Sequence, residues 1–418
     1  MGQLMGDLTF ITATDNVTKS FYYKIYDADS GLFVKIWSDE VISFPKFKNL
    51  INAGSGELFV GLARKFDDFG EDVDVKLNNR VEVYVIDRDN PDGLLYFQGF
   101  ISGYKPIVSF GEESVGVTIW GFNNELARMI LRDAAGNTTI TYNSYDPSAI
   151  MKDVIDKYRA IGGTLNYDDD SIDLTNTTVS YTFNTNTIQE CFDKIIELCP
   201  IGWYFRIEAS GTIHLHPKKD TADHTFNLGL EIQGLGTFRR IEDIVNRVLF
   251  IGGGNPALFR KYENTGSQNS YGLHEVKKVD QRVTTIATAE TISNRIIDSK
   301  KDPEIRSIFR ITDNNGPDTD EGYDIESIKV GQTLQVKNLK ESVKTTTLWD
   351  IGVWDVDVWD QTITASAADI LQIVSVEYKP DFVIVEASSR LPQISKRIED
   401  VNRNLEVTQA INNPSSPS

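Results

Sequence analysis

Apolar and polar residues alternate with a period of two through most of residues 8–130. Four stretches carry the alternation most clearly, and turn-forming glycine, proline and aspartate residues separate them. Because successive side chains of a strand point to opposite faces of a sheet, this alternation indicates strands with one buried face. The predicted strands are residues 32–37, 80–87, 94–104 and 114–122.

Helical signals dominate the middle of the chain. Residues 146–163 begin with Asp-Pro, place apolar residues at helical spacing and end with Gly-Gly, as an α-helix does. A second amphipathic stretch, 187–200, ends at a proline and runs into a predicted hairpin at 202–217. A third helix is predicted over 288–303. The middle of the chain is therefore predicted to be an α+β insert between β-rich regions.

The last part of the chain returns to a period of two from about 306 to 390 and then changes again. In residues 391–410, four apolar residues recur at 4-3-4 spacing, which predicts a helix with one apolar stripe. Two heptads are fewer than a coiled coil needs, so the stripe is expected to pack on its own subunit or around a threefold axis. Residues 411–418 have the composition of a flexible tail. The stripe consists of Ile394, Ile398, Val401 and Leu405.

The composition is that of a soluble protein with several domains. The chain has 418 residues, 40% of them hydrophobic and 25% charged, which suits two to four domains. Its net charge of −19 argues against nucleic-acid binding through phosphate neutralisation. An acidic surface does suit a conduit through which a polyanion passes without adhering. No run of 18 apolar residues and no signal peptide occurs, so stable membrane insertion is not expected.

Residues with catalytic or metal-binding potential are few. Cys191 and Cys199 lie about 12 Å apart along a predicted helix, too far for a disulfide, so both are expected to be reduced. His214 and His216 share one strand face, where a plain polar face is favoured over a zinc site. No phosphate-loop, GxGxxG or GxSxG pattern occurs. The chain is expected to be neither an enzyme nor a cofactor-binding protein, with a hydrolase built on scattered carboxylates as a weaker alternative.

Three motifs on neighbouring predicted strands carry a resemblance to a known family. They are N-x-V-x-V-Y at 79–84, F-x-G-F-I-S-G-Y-x-P at 97–106 and V-x-V-x-x-x-G at 115–121. The segment 56–128, which contains them, resembles the N-terminal domain of the tail-tip (baseplate) hub proteins of long-tailed bacteriophages. This family includes the hub region of tail-associated lysins. Later segments resemble other parts of the family in the same order, so that the resemblance covers roughly residues 10–395.

The resemblance implies a mainly β fold with α+β inserts. Two tube-like β-barrel or sandwich domains and two smaller mixed domains would make up each subunit of a ring-forming homotrimer. Three copies of two similar domains give a pseudo-sixfold ring, which can dock on a hexameric ring. The expected divisions are 8–130 with 226–255 (first tube-like β-domain), 131–225 (helix-plus-hairpin insert), 256–305 (mixed α/β segment), 306–390 (second tube-like β-domain) and 391–418 (C-terminal helix and tail).

The function that the resemblance implies is structural. The hub would close the tail tube at the tip of the virion, adapt sixfold to threefold symmetry and form the channel for DNA exit, after assembly in the host cytoplasm. Its expected partners are two further copies, a distal tail or tail-tube ring protein, the tape-measure protein and a central fibre or spike. Phage DNA would pass without specific binding. Lysin-bearing members continue into an enzymatic domain, whereas this sequence ends after residues 391–418, so a hub without an enzyme is expected.

One motif stays open to several interpretations. Residues 349–360 read WDIGVWDVDVWD, with half of the chain's six tryptophans at five-residue spacing. That spacing alternates the rings between the two faces of a strand, which favours packing between sheets or subunits. The alternatives are a receptor or carbohydrate contact, which would make the chain a host-binding tail protein, and calcium binding by the aspartates, Asp357 included. The interface or receptor candidates are Trp349, Trp354, Trp359, Asp350, Asp355 and Asp360.

Overall fold

Strands are more abundant than helices, at 45% against 19%, as the alternation of the sequence predicts. The structure, a computed structural model, describes residues 11–12, 19–63, 74–87, 90–109, 112–227, 231–240, 244–254, 257–313, 323–337 and 370–389. Within these residues the strands form two large sheets and three small ones. The mainly β fold class with mixed inserts is thereby confirmed.

The first large sheet is built from the N-terminal third of the chain. Its central strands pair in the antiparallel order β2-β7-β8-β9-β6, and β1 and β3 both pair with β2. All four strands predicted in this region are present. The N-terminal strands are β1 (Ile11–Thr12), β2 (Ser20–Tyr26), β3 (Phe33–Trp37), β4 (Phe47–Leu50), β5 (Gly54–Ser55), β6 (Glu57–Leu62), β7 (Arg80–Ile86), β8 (Leu94–Ser109) and β9 (Glu112–Trp120).

The chain that follows β3 closes this sheet into a barrel. The amide of Ile42 donates to the carbonyl of Gly61 at 2.9 Å, and the amide of Ala63 donates to the carbonyl of Glu40 at 2.6 Å. These bonds join the segment beyond β3 to β6, the strand at the opposite edge of the sheet. Closure removes exposed strand edges and encloses a core that includes the fully buried Trp37.

The insert begins directly after β9, and its core also takes in Phe250, Val283, Ala289 and Ile292 from later in the chain. Two of its helices begin at side-chain caps, of which the one at Asp146 is predicted by the sequence. Asp146 accepts from the amide of Ser148 at 2.8 Å, and Thr187 and Glu190 form a capping box. The elements of the insert are α1 (Phe122–Arg128), β10 (Thr139–Tyr145), α2 (Pro147–Ala160), β11 (Val179–Asn184), α3 (Ile188–Leu198), β12 (Trp203–Ile207) and β13 (Ile213–Pro217).

A three-stranded sheet with one long helix follows. Its order is β17-β16-β18, and α5 packs against β16 and against α3 of the insert. Two glycines after β16 allow a close approach, because a Cβ at Gly253 would lie 1.9 Å from the carbonyl oxygen of Gln281. The elements between residues 224 and 300 are β14 (His224–Asn227), β15 (Ile232–Arg240), β16 (Arg247–Gly252), β17 (Phe259–Glu263), α4 (Thr265–Tyr271), β18 (Glu275–Asp280) and α5 (Ile286–Lys300). Of these, β14 and β15 belong to the second large sheet.

The second large sheet collects strands from three parts of the chain. Its main order is β14-β20-β21-β22-β19-β15, and β4, which carries β5, pairs with β21. A 3-10 helix, Ile325–Ser327, precedes β20. The remaining strands are β19 (Glu304–Thr312), β20 (Thr333–Lys337), β21 (Leu371–Tyr378) and β22 (Phe382–Ser388). No helix in the described part of the chain is long and apolar enough to span a bilayer.

The strand partners differ from the predicted grouping of residues 226–255 with the first β-domain. β14 and β15 pair with β20 and β19 of the second large sheet, and β16 pairs with β17 and β18. Conversely, β4 and β5 lie within residues 8–130 but belong to the second sheet. The reason is physical: a period of two reveals that a strand has a buried face but carries no information on its neighbour.

Candidate functional site

The interface, receptor and trimer-helix candidates predicted from the sequence lie outside the described part of the chain. Their roles therefore stay predictions, and the described residues direct attention to two internal contacts instead. One joins the two large sheets, and the other joins the insert to the three-stranded sheet. The residues outside the description are Trp349, Trp354, Trp359, Asp350, Asp355, Asp360, Ile394, Ile398, Val401 and Leu405.

Aromatic side chains from both large sheets meet around β4. The ring centroid of Phe47 on β4 lies 5.0 Å from that of Tyr96 on β8 and 5.0 Å from that of Tyr378 on β21. Tyr378 donates to the carbonyl of Ile328 at 2.5 Å. Burial raises the pKa of both tyrosines, so that their hydroxyls stay protonated. The two sheets therefore share one hydrophobic core, in which Tyr96 packs edge-to-face against Phe47 and Tyr378.

Three buried charged side chains also link the two sheets, and we call Lys19, Asp313 and Glu326 the junction cluster. Lys19 immediately precedes β2 of the first sheet, whereas Asp313 follows β19 and Glu326 lies in the 3-10 helix. The ammonium of Lys19 forms ion pairs with both carboxylates, and its distance to Glu326 Oε1 is 2.5 Å. The side chains are only 1–2% exposed. The cluster holds one formal positive and two formal negative charges inside the protein.

Burial and charge act in opposite directions on the junction cluster. Burial raises the pKa of Glu326 to about 7 and outweighs the attraction of Lys19. Within the described residues Glu326 Oε2 has no hydrogen-bond partner. Burial alone would lower the pKa of Lys19, but Glu326 and Asp313 raise it. The arrangement therefore keeps the lysine charged and makes the charge of Glu326 depend on pH near neutrality.

A second ion-pair network joins α3 of the insert to β18. Lys194 donates to Asp280 at 2.6 Å and to Glu197 at 3.0 Å, and Lys278 donates to Glu197 at 3.1 Å. Burial would raise the pKa of Glu197, but the two lysines lower it to about 2. The network lies in a groove of about 1100 Å³ between α3, α5 and β18. It fixes the three-stranded sheet against the insert.

Arg295 of α5 makes a further contact at the end of α3. Its guanidinium donates to the carbonyls of Cys199 and Pro200, both at 2.7 Å, and to that of Trp203 at 3.2 Å. Carbonyls at a helix C-terminus have no partner within the helix, so a buried arginine stabilises them. The contact helps to hold α5 on the insert.

Three histidines contact polar side chains, and the cysteines are buried. His214 lies 3.1 Å from Glu208 and His216 lies 2.7 Å from Asp173, whereas His224 contacts Tyr323 and Gln332 in the second large sheet. Among the described residues no group of three or more His, Cys, Asp or Glu side chains could hold a metal ion. The two cysteines, Cys191 and Cys199, are buried free thiols, and burial raises the pKa of Cys199 to about 12.

Comparison with solved structures decides the fold. No protein-family model and no curated protein matches the chain. The 43 kDa tail protein of prophage MuSo2 from Shewanella oneidensis matches with a TM-score of 0.54 at 12% identity, over 88% of this chain and 98% of that one. The chain has the fold of phage tail proteins.

Two further solved structures share this phage tail fold. Prophage tail protein gp18 from Listeria monocytogenes EGD-e matches with a TM-score of 0.54 at 10% identity, over 92% of this chain and 99% of that one. The tail protein from Neisseria meningitidis MC58 matches with a TM-score of 0.54 at 10% identity, over 88% and 96%. The resemblance inferred from the sequence motifs is confirmed at the level of the fold.

The junction cluster has no local sequence signal. Lys19 and Glu326 are 307 residues apart, and neither belongs to a motif that predicts a buried ion pair. The ion pairs between α3 and β18 were also missed, although Lys194 and Glu197 sit at the helical i,i+3 spacing that favours pairing. Only the fold brings these residues together.

Proposed function

We propose that the chain is a non-enzymatic, homotrimeric hub protein at the tail tip of a phage virion. The observation that carries this proposal is the phage tail fold, which spans 88–92% of the chain in three solved tail proteins. A structural role also fits the contacts of the described residues. The charged clusters connect sheets and helices internally, and the buried tyrosines and thiols stay protonated.

The two large sheets of each subunit suit a ring with alternating domains. They share one core, so each subunit presents two β-units in a fixed relation. Three subunits arranged around an axis then place six β-units around a channel, which matches a sixfold tube above and a threefold fibre or spike below. The hub contacts a distal tail or tail-tube ring protein and the tape-measure protein, and phage DNA leaves through its channel. The net charge of −19 disfavours adhesion of DNA to the protein surface.

The segments outside the described residues have roles in this assembly. The rings of Trp349, Trp354 and Trp359 pack at an interface between sheets or subunits. The apolar stripe from Ile394 to Leu405 packs around the threefold axis or on its own subunit. Both proposals rest on the spacing of these residues.

The oligomeric state of the purified chain tests the proposal. Mass photometry and sedimentation should give a particle of about three times the chain mass of 46.9 kDa. A protein that stays monomeric at every concentration used, or that forms only twofold dimers, would contradict a trimeric hub.

A further inference from the structure

The three-stranded sheet has one covered face and one open face. On the covered face, Phe250 of β16 is fully buried in the core that it shares with Ala289 and Ile292 of α5. Exposure alternates along β18, whose residues are exposed and half-buried in turn. Because side chains alternate between faces, Leu249 and Ile251 of β16 and their partners on β17 and β18 point away from α5.

An apolar row crosses the open face at one end. The register places Ile251 of β16 opposite Phe259 of β17 and Val279 of β18. Phe259 is 56% exposed and Val279 is 48% exposed, although both are large apolar residues. Three adjacent apolar side chains on a solvent-facing sheet are typical of a surface that another protein covers.

The next row of the open face is positively charged. Leu249 is flanked by Lys261 and Lys277, and both lysines are exposed. The last row holds Arg247 between Glu263 and Glu275, where Arg247 donates to Glu263 at 2.9 Å and to Glu275 at 3.5 Å. The open face is therefore apolar beside two lysines, in a protein whose net charge is −19.

The chain's own insert lies on the other side of this sheet. α3 contacts α5, and its ion pairs reach Lys278 and Asp280, which alternate with the exposed Lys277 and Val279. The insert is thus held against the covered face. The insert therefore does not cover the open face, and a second copy of the chain is available in any trimer.

An acidic loop on the insert has the complementary chemistry. Residues 168–174 present three successive exposed aspartates, an exposed Asp173 and Leu174, which is 66% exposed. The loop is held at the edge of β13, since the amide of Leu215 donates to the carbonyl of Ser171 at 2.8 Å and the amide of Asp173 donates to the carbonyl of Leu215 at 3.0 Å. It offers carboxylates for lysines and an apolar side chain for an apolar row.

We propose that the open face of the three-stranded sheet in one copy binds loop 168–174 of the next copy. Lys261 and Lys277 pair with the aspartates of the loop, and Leu174 packs against Phe259 and Val279. Two different surfaces meet in this contact, so it is heterologous, and repetition through a rotation of one third of a turn closes a ring. The inference rests on the proposed trimer and names the surfaces that hold it together.

Charge reversal and its compensation test the contact. The variant Lys261→Glu/Lys277→Glu and the variant Asp169→Lys/Asp170→Lys should each raise the dissociation constant of the trimer by roughly tenfold or more. The quadruple variant, which restores opposite charges, should return it to within about threefold of the parent value. Lys46→Glu/Lys105→Glu is the matched control, because it reverses two exposed cations in the N-terminal β region and should leave dissociation unchanged.

Sedimentation over a concentration series measures all five proteins, and circular dichroism confirms that each is folded. If neither charge reversal changes the dissociation constant of the trimer, the inference is overturned and the proposed function is unaffected. Weakening by the lysine reversal alone, without rescue in the quadruple variant, overturns loop 168–174 as the occupant. A monomeric parent overturns the proposed trimer together with the inference.

Discussion

Replacing Glu326 by glutamine should stabilise the protein much more at pH 8 than at pH 5. Burial raises the pKa of this carboxyl from 4.5 to about 7 in the folded protein. Because the folded-state pKa lies above the unfolded value, the protonated carboxyl of Glu326 contributes its full stability below about pH 4.5. This contribution is lost as the pH rises through 7.

The magnitude follows from the size of the shift. At about 1.4 kcal/mol for each pKa unit, the ionisation of Glu326 costs the folded state about 3 kcal/mol by pH 8. Glutamine has nearly the same volume and mimics the protonated acid at every pH. The Lys19–Asp313 pair remains in the variant, so no buried charge is left without its counterion.

Urea unfolding of the parent and of Glu326→Gln between pH 5 and pH 8 measures this effect. The difference in the free energy of unfolding should grow from about 1 kcal/mol at pH 5 to about 3 kcal/mol at pH 8. Glu377→Gln, at a carboxylate whose side chain is 39% exposed, is the control and should show no such growth. A constant difference across this range, or a Glu326→Gln protein that is less stable at pH 8, would refute the reasoning.

Three further variants test other parts of the protein. Gly253→Ala should lower the free energy of unfolding by at least about 2 kcal/mol, since its Cβ would collide with the carbonyl of Gln281, whereas Gly103→Ala, which meets nothing within 4 Å, should be tolerated in the same melting assay. Replacing Trp349, Trp354 and Trp359 by alanine should cost roughly 3–5 kcal/mol at each buried ring and shift the remaining fluorescence. Equal assembly and melting of this triple variant would argue for a receptor platform instead. Ile398→Asp/Val401→Asp should weaken the trimer or lower its melting temperature, and unchanged sedimentation and melting would count against a packed role for that helix.

Local features of the sequence predicted the three longest helices and several of the strands. The alternation over residues 80–87 and 94–104 indicated β7 and β8, because each strand has one face in the core. Asp146 marked the start of α2, because capping depends on neighbours in sequence. The Thr187–Glu190 capping box at the start of α3 is a local signal of the same kind that went unrecognised. Such signals need no knowledge of the rest of the fold.

Strand partners and buried charges could not be predicted in this way. β4 lies in sequence between β3 and β6 of the first sheet but pairs with β21, more than 300 residues later. Nothing in the sequence of β4 identifies this partner. The junction cluster likewise depends on Lys19 meeting Asp313 and Glu326 across the two sheets. Long-range pairing is decided by the packing of the whole core.

Electron cryomicroscopy of the purified chain tests the trimeric hub most directly. The account predicts a particle with threefold symmetry in which six β-units, two from each subunit, alternate around an open or plugged central channel. The insert and the three-stranded sheet should lie outside this ring and touch the neighbouring subunit. A compact particle with twofold symmetry, or one in which the two large sheets of a subunit do not both line the axis, would contradict it.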